Sequence, residues 1–355
     1  MDHIDRPSAV RSGEDLDLIV IEAFLKDTVP GLDGRITLEQ FPSGASNLTY
    51  LITCGSREMV LRRPPFGTKA ATAHDMGREY KVLSALCEQL PYVPRPLTYS
   101  QDESIMGCPF YVMERIEGII IRKELPDGLI DSPSELQGLF EQFVDVMREL
   151  HTLDYKKAGL ANLGKPKGYV QRQITGWSRR YRAARTPDMP DFESVMTWLE
   201  EKMPPETQTT AIIHNDFKLD NIVLDPNNSP KIIGLLDWEM CTLGDPLMDL
   251  GSTLGYWVEK EDPSERHLMR TMPTHLDGAL TRREFVEYYG RLSGIRMDGF
   301  DFYYCFGLFR LAVIVQQIYY RYYHGQTKNG RFKKYAQGVP ILERVTAELI
   351  ARSDL

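Results

Sequence analysis

The chain has 355 residues, a formal net charge of -8, and 42% hydrophobic against 26% charged residues. That length can bury a sizeable core, and so ordinary a composition excludes a disordered or fibrous chain. The acidic balance argues against nonspecific nucleic-acid binding, and five cysteines (54, 87, 108, 241, 305) without a C-x-x-C pair argue against a disulfide framework or zinc site.

The first 18 residues alternate charge and polarity with no apolar core, so no secretory signal is expected and the expected compartment is the cytoplasm. An amphipathic helix is predicted over 16–28, stopped by Pro30 and Gly31. Strands follow near 35–41, 48–54 and 58–63, broken by the turn signals SGASN and Gly55-Ser56, which suit antiparallel hairpins. Apolar residues at helical spacing predict a helix over 75–90, ended by Pro91, Pro94 and Pro96, and 97–100 and 110–113 read as further strands.

Beyond this point helices dominate, at 133–153, 169–185, 192–202, 246–259, 281–293, 301–323 and 338–352, with short apolar strands at 211–213, 222–224 and 232–236. The most hydrophobic stretch, 300–323, is interrupted by Asp301, Arg310, Gln316, Gln317 and Arg321, so a buried helix is expected rather than a membrane span. The layout expected is α+β: a strand-rich lobe over 1–113 with a leading helix, and a helical lobe over 114–355.

The segment Ile212-Ile213-His214-Asn215-Asp216-Phe217-Lys218-Leu219-Asp220-Asn221-Ile222 has apolar strands at both ends and a polar loop between them. Sixteen residues after Asn221, a second apolar strand delivers Asp237, followed by Trp238 and Glu239. Such spacing can bring Asp216, Asn221 and Asp237 to one edge of a cleft. Phosphoryl transfer needs these groups: a carboxylate for the proton of an attacking hydroxyl, and oxygen ligands for Mg ions on the phosphates.

The run His-x-Asp-x-x-x-x-Asn with a strand-terminal Asp resembles the catalytic and metal loops of the protein-kinase-like fold. HNDFKLDN with LLDWE and LGDPLMDLG is similar, more narrowly, to the aminoglycoside phosphotransferase and choline-kinase superfamily. The resemblance is specific over 212–251 and diffuse elsewhere between 35 and 325. It implies a two-lobed fold with an ATP cleft between the lobes. In it Asp216 resembles the catalytic base, Asn221 and Asp237 resemble Mg ligands, and His214 orients the loop. Lys218 is placed to offset charge on the transferring phosphoryl group, and Asp249 resembles a residue that braces the loop.

On the nucleotide side, the turn Ser43-Gly44-Ala45-Ser46-Asn47 stands where a phosphate-covering loop would, without a Walker A or G-x-G-x-x-G pattern. The strand that presents a Lys in this fold carries Arg62 instead, with Glu79 as the helix acid. Arg is larger and planar, which weakens a protein-kinase reading more than it weakens ATP binding. Met113 and Glu114 fall where the resemblance puts the adenine-facing connector.

Acceptor choice is expected to lie in the helical lobe. Nine Lys or Arg residues against one acid fill 151–187, and the segment around Arg172, Trp177, Arg180 and Tyr181 is basic and aromatic. Cationic aminoglycosides call for the opposite lining. The segment looks like relatives associated with acyl-CoA dehydrogenases, which implies a hydroxyacyl-CoA or another anionic metabolite as acceptor. Glu239 is grouped with these residues or with the metal loop. An aminoglycoside 3'-type phosphotransferase is the alternative; a protein kinase, lacking an Ala-Pro-Glu segment and room for an activation loop, or an inactive ATP-binding protein, is disfavoured. The partners expected are ATP, Mg2+ and a small hydroxylated substrate, with no nucleic acid and no membrane; a homodimer is compatible with this reading.

Overall fold

The computed structural model describes residues 4–42, 47–66, 75–205, 209–228, 230–327 and 330–355. In chain order the first elements are α1 (Leu18–Thr28), β1 (Ile36–Gln40), β2 (Leu48–Cys54), β3 (Arg57–Arg63), α2 (Met76–Leu86), β4 (Pro96–Ser100), α3 (Glu103–Met106) and β5 (Phe110–Glu114). There follow α4 (Pro133–Thr152), α5 (Tyr169–Ala184), α6 (Glu193–Glu201), β6 (Ala211–Ile213), β7 (Ile222–Leu224), β8 (Ile232–Leu235) and β9 (Thr242–Gly244). The chain ends with α7 (Pro246–Gly255), α8 (Ser264–His267), α9 (Arg282–Ser293), α10 (Phe300–Tyr323) and α11 (Tyr335–Arg352). The fold is α+β, an antiparallel sheet lobe and a larger helical lobe. Where the sequence reading set its boundary at 113/114, contacts group Met1–Ile120 with Asn221–Cys241, and Ile121–Asp220 with Thr242–Leu355.

In the first unit a five-stranded antiparallel sheet runs in the order β1-β2-β3-β5-β4. Gly55, at φ 62°, supplies the left-handed residue that lets β2 turn tightly into β3, with Cys54 opposite Arg57. Tyr50, Ile52, Met59, Leu61, Phe110 and Val112 alternate onto one face and bury against Ile21 and Leu25, one turn apart on α1. Asp75 caps α2 by accepting from the Arg78 amide, which fixes where that helix starts. The β7–β8 hairpin belongs to the same unit, and Ile119 pairs with Leu224 along its edge.

The second unit is built on α10, which lies against α7, α5 and α11. Helices α7 and α10 approach through glycine: a Cβ on Gly251 would strike the Tyr303 carbonyl, and one on Gly307 the Gly251 carbonyl. Helix α4 starts at a Ser132 cap with Pro133 in its first turn and buries Leu136, Phe140, Phe143, Met147 and Leu150 at helical spacing. Strand β6 pairs antiparallel with β9, a three-residue strand the sequence did not reveal. Among the described residues only α10 is long and apolar enough to cross a membrane, and 83% of that apolar window is buried inside the protein.

Candidate active site

In the helical unit, the loop after β6 is held from several sides. Asn215 takes a left-handed conformation (φ 65°), one that Asn tolerates through its short polar side chain. Asp249, fully buried on α7, accepts the His214 amide at Oδ2 and the Asn215 amide at Oδ1, both at 2.7 Å. His151 at the end of α4 lies 3.1 Å from the same Oδ2 through Nε2, and its Nδ1 lies 2.7 Å from the Tyr289 hydroxyl. Burial works against the Asp249 charge, but His151 and the amides hold its carboxyl below the usual range. It is therefore a carboxylate, placed to accept a hydrogen bond from His151 Nε2.

Arg310 of α10 donates to the Asn215 carbonyl at 2.7 Å, and the Tyr169 hydroxyl donates to the Asn215 side chain at 3.2 Å. Thr253 donates to the Phe217 carbonyl at 2.9 Å, and the Phe217 ring meets Phe143 edge-on at 4.5 Å. Fully buried His214 accepts the Asp216 amide through Nδ1 at 3.3 Å, an orienting contact. The backbone on both sides of Asp216 is thus fixed, while its side chain stays partly exposed, at 19%.

Lys218 bridges Asp216 at 3.2 Å and Asp220 at 3.5 Å, with its ammonium 5.7 Å from the centre of the Tyr256 ring. Although burial opposes its charge, the two carboxylates hold the ammonium well above the ordinary lysine range. Lys218 is therefore a permanent cation in contact with Asp216 rather than a solvent-facing lysine.

In the sheet unit, Arg62 on β3 is buried and forked between two acids. It donates to Glu79 of α2 at 2.7 Å and to Asp237 at 3.1 Å, with Glu239 at 3.9 Å. Burial raises the Glu79 carboxyl although Arg62 pulls it down. Asp237 ends the β7–β8 hairpin at φ 65°, a left-handed position that a non-glycine residue occupies at a cost of about 1 kcal/mol. The turn after it is fastened by Trp238, whose indole donates to the Leu235 carbonyl at 2.8 Å, and by Arg78, which donates to the Cys241 carbonyl. The Leu236 amide donates to the Asn221 carbonyl at 2.8 Å, so Asn221 and Asp237 stand at the same end of the hairpin.

No cluster of three or more His, Cys, Asp or Glu among the described residues forms a metal cage. One carboxylate and one amide oxygen are nevertheless the hard, sparse donor set that suits Mg2+, which keeps waters and takes further oxygens from phosphates. Asp237 turns one oxygen to Arg62 and keeps 32% of its side chain exposed.

Several sequence expectations find their places here, and some separate. Glu239 stands with Asn47 and Arg62 in the sheet unit and accepts from Asn47 Nδ2 at 2.7 Å, whereas Arg172, Trp177, Arg180 and Tyr181 belong to the chain's other unit. Ser43, Gly44 and Ser46 lie outside the described residues. Met113 is buried on β5 opposite Val60, and Glu114 is exposed beside it. Arg172 is occupied by the Lys165 and Lys167 carbonyls. Tyr181 is fully buried against Phe192 and Phe309, with its hydroxyl on the Pro190 carbonyl at 2.6 Å, because it lies one turn from Trp177 on the apolar face of α5. Trp177 instead meets two guanidiniums, Arg180 at 4.5 Å and Arg310 at 5.2 Å from its ring centre. Arg310, His151 and Tyr256 did not stand out in the sequence as site residues; an Arg amid the most apolar stretch of α10 was the available signal for the first.

The chain is similar to longer proteins and to solved kinase-like structures. It is 36% identical over 298 residues to acyl-CoA dehydrogenase family member 10 of Mus musculus, covering 83% of this chain and 27% of that protein. It is 34% identical over 329 residues to family member 11 of Rattus norvegicus, covering 88% of this chain and 40% of that protein. The chain therefore spans well under half the length of these relatives. A crystallised Ralstonia eutropha protein described as a candidate aminoglycoside phosphotransferase superposes with a TM-score of 0.82 at 28% identity, covering 96% of this chain and 100% of the other. Choline kinase of Cryptosporidium parvum superposes with a TM-score of 0.66 at 12% identity, covering 95% and 97%, a likeness of fold. Residues 37–285 match the phosphotransferase enzyme family (APH), and the chain belongs to that family.

Proposed function

We propose that the protein transfers the γ-phosphoryl group of ATP to a hydroxyl of a small anionic molecule, with Asp216 as the base. The observation that carries this is the clamped loop: Asp249, Arg310 and Thr253 fix the backbone around Asp216 and leave its carboxylate partly exposed beside a permanent cation. Asp216 accepts the hydroxyl proton as the acceptor oxygen bonds to the γ-phosphorus, and the bond to the β–γ bridging oxygen breaks to release ADP. Lys218 supplies positive charge beside the carboxylate as negative charge develops on the phosphoryl oxygens.

In this reading the sheet unit carries the nucleotide side. Arg62 holds Asp237 and Glu79 in one ion-pair set, Asn47 is tied to Glu239, and Met113 lies on the strand that leads to the adenine-facing connector. Asp237 and Asn221 would hold Mg2+, which would neutralise phosphate charge there. The names of the relatives support an acyl-linked metabolite such as a hydroxyacyl-CoA as acceptor.

The test is transfer of label from γ-labelled ATP to a panel of hydroxyacyl-CoAs, short hydroxy acids and aminoglycosides. Labelled anionic product is the expected result. Turnover confined to aminoglycosides would contradict the acceptor assignment, and no transfer to any hydroxyl would contradict the reaction.

A further inference from the structure

The basic segment between α4 and α6 is not a uniform positive surface. Lys157 pairs with Asp154, Arg172 with two backbone carbonyls, Arg182 with Glu193 through two bonds, and Arg185 with the Met189 carbonyl. Arg180 is different. It stacks over Trp177, and no ion pair joins it to a carboxylate among the described residues. Although Arg180 is an exposed residue, partial desolvation together with the neighbouring Arg179 and Arg310 weakens its hold on its proton.

Arg310 approaches the same indole from α10, and its hydrogen bond goes to the Asn215 carbonyl. Two guanidiniums therefore share one aromatic ring without an acid between them, in a chain of net charge -8 that has acids to spare. Like charges held this way repel, an anion between them would offset that repulsion, and guanidinium forks match carboxylate and phosphate oxygens. Arg310 also fixes where such an anion would sit, because the residue it bonds to immediately precedes Asp216.

We propose that Arg180 and Arg310, stacked over Trp177, form an oxyanion subsite that reads a carboxylate or phosphate carried close to the acceptor hydroxyl. The subsite rests on the reading of Asp216 as the base for that hydroxyl. It deepens the acceptor class from anionic molecules in general to hydroxy acids or hydroxy phosphates whose two groups are a few bonds apart. Arg180 and Arg310 are its specificity-determining residues, and Trp177 sets their spacing.

The experiment uses the full chain with ATP and matched hydroxyl acceptors that end in a carboxylate, a phosphate, a neutral amide or a CoA thioester. A charge-assisted contact predicts kcat/KM at least about tenfold higher for the carboxylate or phosphate than for the amide, with the gap closing in Arg180→Gln. Arg310→Lys, which keeps the charge but loses the fork, should narrow the same gap. In parallel, Trp177 emission is titrated with inorganic phosphate and with acetate in the absence of ATP, with Trp177→Phe as the blank and Arg180→Gln as the comparison. Saturable change that is lost in both variants supports the subsite even if no acceptor is phosphorylated, which would then count against the kinase reading alone. Turnover without preference for the anionic acceptors overturns the subsite and leaves the kinase reading standing. A preference for the CoA thioester that Arg180→Gln does not reduce also overturns it, and so does unsaturable emission without turnover.

Discussion

At the scale of single residues, the site is a set of charges whose partners decide their behaviour. Arg62 is the clearest case, since it is buried and faces Glu79 and Asp237 together. Removing it leaves Glu79 as an uncompensated buried acid. Arg62→Met is expected to lower unfolding free energy by about 3–5 kcal/mol, and Arg62→Met with Glu79→Leu to recover part of that loss. Urea unfolding of both variants checks this; a double variant no more stable than the single would contradict the pairing. The acids and amides at 214–221 and 237 were legible because their chemistry is local to two short segments. Arg310 was not, since it meets Asn215 from 95 residues away in sequence and sits in a helix whose other residues read as core. For the same reason Tyr181 was misplaced: its basic neighbours in sequence are not its neighbours on the helix face.

At the scale of elements, helix α7 concentrates the structural constraints. Asp245 caps its first turn by accepting the Leu247 amide at 2.8 Å, yet burial pushes its carboxyl up to about 6. Its folded value lies above the unfolded one, so its contribution to stability is full below the unfolded value near 3.8 and is lost as pH rises through 6. Asp245→Asn keeps an acceptor for the cap without the charge. Relative to wild type, it should gain up to roughly 3 kcal/mol in stability between pH 4 and pH 7. Urea unfolding across that range tests it; a pH-independent difference would contradict the shift.

The same helix meets α10 through Gly251 and Gly307, where a Cβ would strike backbone rather than a movable side chain. Gly307→Ala is expected to cost about 3 kcal/mol through overpacking. Gly138→Ala, in α4 with nothing near its Cβ, should instead gain about 0.5–1 kcal/mol. Thermal melts of the two variants should move in opposite directions. The longer helices and the sheet strands were legible from periodicity and turn residues, to within a few residues at their ends, whereas the four-residue α3 and α8 are too short to show a period. Strand β9 was not, because three residues between a tight turn and a capping Asp carry no alternation, and its pairing with β6 spans about thirty residues.

At the scale of the whole molecule, the α+β layout followed from strands preceding helices, but the course of the chain did not. Asn221–Cys241 returns to the sheet unit although it lies in sequence between helical segments, and it carries Asp237 to Arg62 and Glu239 to Asn47. That return depends on contacts across more than 150 residues, which local pattern does not encode. The groups proposed for nucleotide and metal thus belong to one unit, and the proposed base with its clamps to the other. The division predicts separable losses: Asp216 governs transfer, whereas the Arg62 set governs nucleotide affinity. The most direct measurement is acceptor-dependent ADP release by wild type and Asp216→Asn, alongside ATP binding by each. ATP binding within a few-fold of wild type and turnover reduced by about 100-fold or more are expected. Turnover by Asp216→Asn at the wild-type rate would contradict the assignment of Asp216 as the base.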